Sequence, residues 1–146
     1  MILTSLIQIF ERDLNRLKDE IESYPHEADL WKLSGQINNS AGNLCLHLLG
    51  NLNHYIGATL GNTGYKRDRE AEFDKKNIPA AELSQGIDET TAMIRRVLGS
   101  LKPDDLAENY PKKIYPNEMT VYFFLLHLFG HMNYHIGQIN YHRRLI

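Results

Sequence analysis

Seven histidines occur in this chain of 146 residues, and three of them, His127, His131 and His135, follow one another at steps of four. Such steps return to nearly the same side of an α-helix, one turn further on each time. The stretch that carries them, VYFFLLHLFGHMNYHIGQINYHRRLI from Val121 to Ile146, is otherwise strongly apolar. Imidazoles turned toward a core need partners for their nitrogens. A divalent ion is one such partner, and neutral imidazole is the commonest metal ligand. Two more histidines, His47 and His54, share a polar stripe with Asn51 in an earlier helical stretch. Side chains at i and i+4 converge on a point beside their own helix. A third imidazole from a facing helix then completes an open site with room for water or substrate. Spacing leaves two choices on the last helix, His127 with His131 or His131 with His135. It also leaves two on the earlier one, His47 or His54.

The elements that must position these rings are helices. Leu3, Ile7, Phe10, Leu14, Leu17, Ile21 and Tyr24 alternate steps of four and three, which predicts a first helix over 2–24, ended by Pro25. Residues 25–40 read as a polar loop with one short turn, pinned by Trp31. The second helix is expected over about 40–60, capped by Asn38, Asn39 or Ser40. In it Gly42, Gly50 and Gly57 recur about every two helical turns and suggest the close approach of another helix, of this chain or of a second subunit. The charged segment 61–79 reads as a solvated crossover. If it instead covers the site, Arg67 and Arg69 are placed to meet an anionic group. A third helix is predicted over about 80–101 from Leu83, Ile87, Thr90, Ile94, Val97 and Leu101. A proline-rich connector follows, and Asn117 or Thr120 caps the last helix. No strand pattern is convincing. The expected architecture is all-α, a four-helix bundle with a long crossover connection, in one domain over 1–146.

Composition narrows the function classes. A net charge of -2 gives no reason to expect nucleic acid or an anionic membrane as partner. No apolar run is long enough to span a bilayer, and the start of the chain reads as lacking a signal peptide. Cys45 is the only cysteine, so neither an intrachain disulfide nor a cysteine-based zinc site is available, and a cytoplasmic location is expected. There is no HExxH for a metalloprotease, no Glu-x-x-His for a di-iron centre, no glycine-rich phosphate loop and no GxSxG. Cys45 lies two residues before His47, which points the two to different faces and argues against a Cys–His nucleophile. Tyr134, Tyr141, Phe123, Phe124 and Phe129 read as packing or dimer contacts. His26 and His142, near element ends, read as solvated.

The segments HLLGNLNHYIG (47–57) and HMNYHIGQI (131–139) resemble the DinB/YfiT-like superfamily of metal-binding four-helix bundles, and GYKRDREAEF (64–73) is similar to one branch of it. The likeness follows the helix order across essentially the whole chain. It implies that His47, His131 and His135 are the metal ligands, with zinc or nickel the expected ion. His54 and His127 are then neighbours, as hydrogen-bonded rim groups or as a general base. The resemblance also implies a homodimer, and in some members a thiol-dependent S-transferase or isomerase activity. The expected function is a metal-dependent enzyme that activates a low-molecular-weight thiol or water, of S-transferase or hydrolase type. The alternatives are a non-catalytic metal- or small-molecule-binding stress-response module, and a structural homodimer whose histidines are only polar core groups.

Overall fold

The computed structural model describes residues 1–146 and is all-helical, its only β pairing being an isolated bridge between Asn109 and Thr120. Helix α1 (Ile2–Glu22) buries Leu6, Phe10, Leu14, Leu17 and Ile21 along one stripe, as its four-three spacing requires. A 3₁₀ turn (Glu27–Trp31) follows. Helix α2 (Ala41–Leu52) starts at Ser40, whose hydroxyl accepts from the Asn43 amide at 3.2 Å. It widens to a π-helical turn over Asn53–Ala58, closes with Thr59–Gly61 and stops where Asn62 adopts the left-handed conformation. Widening frees carbonyls for other donors, and Tyr110 Oη donates to the carbonyl of Tyr55 at 2.7 Å.

The crossover segment contains a short helix, α3 (Arg69–Asp74), capped by Asp68. It is stitched to α2 by buried Asn43, whose Nδ2 donates to the carbonyls of Glu72 (3.0 Å) and Lys75 (2.8 Å) while its Oδ1 accepts from Lys76. Helix α4 (Ala80–Ser100) packs most extensively against α1. After a second 3₁₀ turn (Pro103–Ala107), helix α5 (Val121–Leu145) begins at Thr120, which accepts from the Phe123 amide at 3.1 Å. It ends in His142, Arg143 and Arg144, where positive charge complements the helix dipole. Phe10 of α1 meets Phe129 of α5 edge-on at 5.5 Å. One hydrophobic core of 28 buried residues draws on all four long helical runs. No helix is long and apolar enough to cross a membrane.

The glycines of α2 do admit close neighbours, and those neighbours belong to this chain. A side chain at Gly42 would meet the Trp31 ring, one at Gly50 the carboxyl group of Glu72 on α3, and one at Gly57 Thr63 and Met93, the latter on α4. One expectation needs correction. His142 is not solvated: it is 3% exposed, with Nδ1 2.7 Å from Tyr24 Oη and Nε2 2.8 Å from the carbonyl of Lys32. It ties the end of α5 to the end of α1 and to the loop beyond it.

Candidate metal centre

Helices α2 and α5 face one another, and their polar edges bring His47, His131 and His135 together. The Nε2 atoms of His47 and His135 each lie 3.2 Å from Nε2 of His131, and one nitrogen from each of the three rings lies within 4.8 Å of the others. The rings meet edge-on, with interplanar angles of 77°, 89° and 88°. His131 and His135 precede Met132 and Ile136, both buried on the inner face of α5, so their rings lie along its flank toward α2.

His127 is not part of this group. It is exposed and its Nε2 lies 3.1 Å from Tyr115 Oη. Four residues turn a helix through about 400°, so each step of four rotates a side chain by about 40° relative to the last. Two histidines in such a series can aim at one point; a third drifts off it. His54 is also outside: it lies beside Lys112 at 3.5 Å and against the ring of Tyr55.

The protons on these rings can be placed. His47 Nδ1 is 3.0 Å from Oε1 of Glu72, and a carboxylate only accepts, so Nδ1 carries a hydrogen and the neutral ring presents its lone pair at Nε2. Burial opposes ionisation of Glu72, but hydrogen bonds from His47 and Arg67 outweigh it and hold its pKa below the ordinary value. Arg67 grips both carboxylate oxygens, Nε to Oε2 at 2.8 Å and Nη2 to Oε1 at 2.9 Å. Gln138 Oε1 accepts from His135 Nδ1 at 2.7 Å, so His135 Nε2 is likewise unprotonated. Burial, then the neighbouring imidazoles of His135 and His47, push the pKa of His131 down to about 4. Burial also lowers that of His135, against the hydrogen bond to Gln138. At neutral pH these two rings are uncharged.

This arrangement fits a cation and satisfies itself poorly without one. A proton on His131 Nε2 serves one neighbour and leaves the other's lone pair unanswered. A proton on its Nδ1 sets three lone pairs together, and Nδ1 has no hydrogen-bond partner in any case. Nitrogens bound to a tetrahedral zinc at 2.0–2.1 Å are about 3.3 Å apart, close to the two 3.2 Å separations observed. An open cleft of about 670 Å³ adjoins His135, bounded by Asn38, Asn39, Leu44, Tyr134 and Gln138, with no Asp, Glu, Lys or Arg in its lining.

Sequence reasoning missed Glu72. It sits in a segment whose charge density reads as solvated, yet it is 6% exposed. The one signal was Gly50 on the inner reach of α2, which reads as helix packing until the carboxylate is seen against it. Arg67, expected to meet a ligand if the segment covers the site, is instead engaged by Glu72, and Arg69 stacks on Phe73. The crossover therefore supports His47 from behind, on its Nδ1 side, while the cleft lies by the loop at 36–39.

Fold and site together define an all-helical protein in which three histidine rings from two helices close on one point. The chain belongs to the family described as Protein of unknown function (DUF1572), whose model matches residues 2–146. No curated protein matches it.

Proposed function

We propose that this chain is a divalent-metal-binding four-helix bundle of the DinB/YfiT-like kind, and that its ion activates a small thiol or a water molecule as a nucleophile. One observation carries the reading. Three imidazole Nε2 atoms converge, and on two of them the opposite nitrogen has already committed its proton, to Glu72 and to Gln138. His47, His131 and His135 would hold the ion. When bound, a zinc or nickel ion supplies Lewis acidity that lowers the pKa of a coordinated thiol or water.

The chain's own residues do the rest. Glu72 and Gln138 orient two of the ligands, and burial keeps His131 and His135 neutral and therefore able to ligate. The cleft beside His135 offers amide groups and aromatic faces without charge, which suits an uncharged electrophile or the neutral part of a thiol. Four long helical runs around one core, with long connections after the second and third, support the bundle assignment. A homodimer is the matching assembly, supported by Phe123, Leu126, Tyr134, Tyr141 and Leu145, which are all exposed along α5.

Elemental analysis of protein purified without a histidine tag, and again after reconstitution, tests the metal. Stoichiometric zinc or nickel is expected; only trace transition metal under both conditions would refute it. With cobalt in place of the native ion, a low-molecular-weight thiol should change the visible spectrum. A spectrum unmoved by every thiol, with no turnover of electrophiles, would leave a metal-holding module without catalysis. Sedimentation should show a dimer, and charge placed at Leu126 and Tyr134 should dissociate it.

A further inference from the structure

The carboxylate behind His47 reaches it through a gap in α2. A Cβ built on Gly50 would stand 2.6 Å from the carboxyl carbon of Glu72 and closer still to its Oε2. Any other residue at 50 would occupy the space the carboxylate uses. Two further side chains hold Glu72 in place. Arg67 takes both oxygens, and Asn43 Nδ2 holds the main-chain carbonyl of Glu72 at 3.0 Å, which sets the depth at which α3 docks. Arg67 Nη2 also approaches His47 Nδ1 to 3.4 Å, but both nitrogens are donors, so they share Oε1 as acceptor. A buried carboxylate is tolerated only when paired and fully hydrogen-bonded. The imidazole N–H completes its set.

We infer that Glu72 is a positioning residue that locks His47 in the tautomer with its proton on Nδ1, that Gly50 is the notch admitting it, and that Arg67 holds the carboxylate in line. Outer partners of this kind fix the ring orientation and raise the basicity of a ligating histidine. The purpose of the lock rests on the metal reading; the lock itself does not.

Two measurements on the full chain separate these points: the ring ¹⁵N signals of His47 in metal-free protein, at a pH where the imidazole is neutral, and zinc affinity by competition with a chelating dye. In the parent protein, Nε2 of His47 should resonate as an unprotonated nitrogen and Nδ1 as a protonated one. Glu72→Gln keeps the shape but offers only one acceptor oxygen, so His47 should populate both tautomers, and the zinc Kd should rise about 10–100-fold. Gly50→Ala should weaken zinc in the same direction while leaving helix content undiminished, since alanine is the better helix former. An E72Q protein with the parent tautomer and a zinc Kd within about twofold of the parent's, well short of the usual outer-partner effect, would overturn the inference. If the parent takes up no zinc yet its tautomer shifts in E72Q, the lock stands and the metal reading falls.

Discussion

His131 is the ring on which the site turns, because its Nε2 is the only one within 3.2 Å of both others. His131→Ala should therefore abolish stoichiometric zinc, whereas His54→Ala, which removes a ring outside the cluster, should leave occupancy near the parent level. Equal occupancy in the two variants, read by elemental analysis, would mean that the ligands are other residues. Cys45 makes a second residue-level case. It is fully buried, and burial alone pushes its thiol up to about 12. The thiolate is the reactive form, so an exposed-thiol reagent should label Cys45 only after denaturant is added. Rapid labelling of the native protein would contradict the packing around α2.

The elements are held at their ends by specific side chains. Ser40 and Thr120 cap the two helices that carry the histidines. Removing either hydroxyl with alanine should cost about 1 kcal/mol of stability in a denaturant titration. Ser40 also donates to Asn43 Oδ1, so Ser40→Ala should loosen α3 as well and cost more than Thr120→Ala. The π turn after Leu52 is supported from outside by Tyr110. Tyr110→Phe removes the donor to the Tyr55 carbonyl and should destabilise by about 0.5–1.5 kcal/mol. Near-neutral effects at all three positions would show that these ends are fixed by core packing alone.

Across the molecule, two carboxylates tie surface to core and give stability a pH dependence. Hydrogen bonds from Arg12 hold the pKa of Asp13 below its ordinary value, against burial of its side chain. Burial opposes ionisation of Glu20, but Arg143 and Asn140 outweigh it and lower its pKa too. A carboxyl with a lower pKa folded than unfolded binds fewer protons in the folded state. Its contribution is complete above the unfolded pKa, about 4 for such groups, and is lost as pH falls through the folded value. Melting temperature should thus decline as pH is taken from about 5 toward 3, and less steeply in Asp13→Asn. Chelation should lower the melting temperature of metal-loaded protein, since an ion bound to the folded state alone stabilises it; no shift on chelation would argue against a bound ion.

What the sequence determined by itself is what depends on local periodicity. The four-three spacing of Phe10, Leu14, Leu17 and Ile21, like that of Leu83, Ile87, Ile94 and Val97, marks a buried stripe whatever it packs against. Capping needs only neighbours in the chain, so the sequence narrows the helix starts to Asn38, Asn39 or Ser40 and to Asn117 or Thr120, and the structure puts the caps at Ser40 and Thr120. Periodicity could narrow the histidines but not choose among them. The choice between His47 and His54 depends on the depth at which α2 meets α5, and that between His127 and His135 on which of the rotating rings faces α2. Resemblance named three residues, and tertiary structure brought those three together. Glu72 and His142 were legible in no local pattern. Each is a polar residue that becomes buried only because distant groups satisfy it: His47 and Arg67 for one, Tyr24 and the Lys32 carbonyl for the other. Burial of a polar group is decided by its partners, and its partners are decided by the packing of the whole chain.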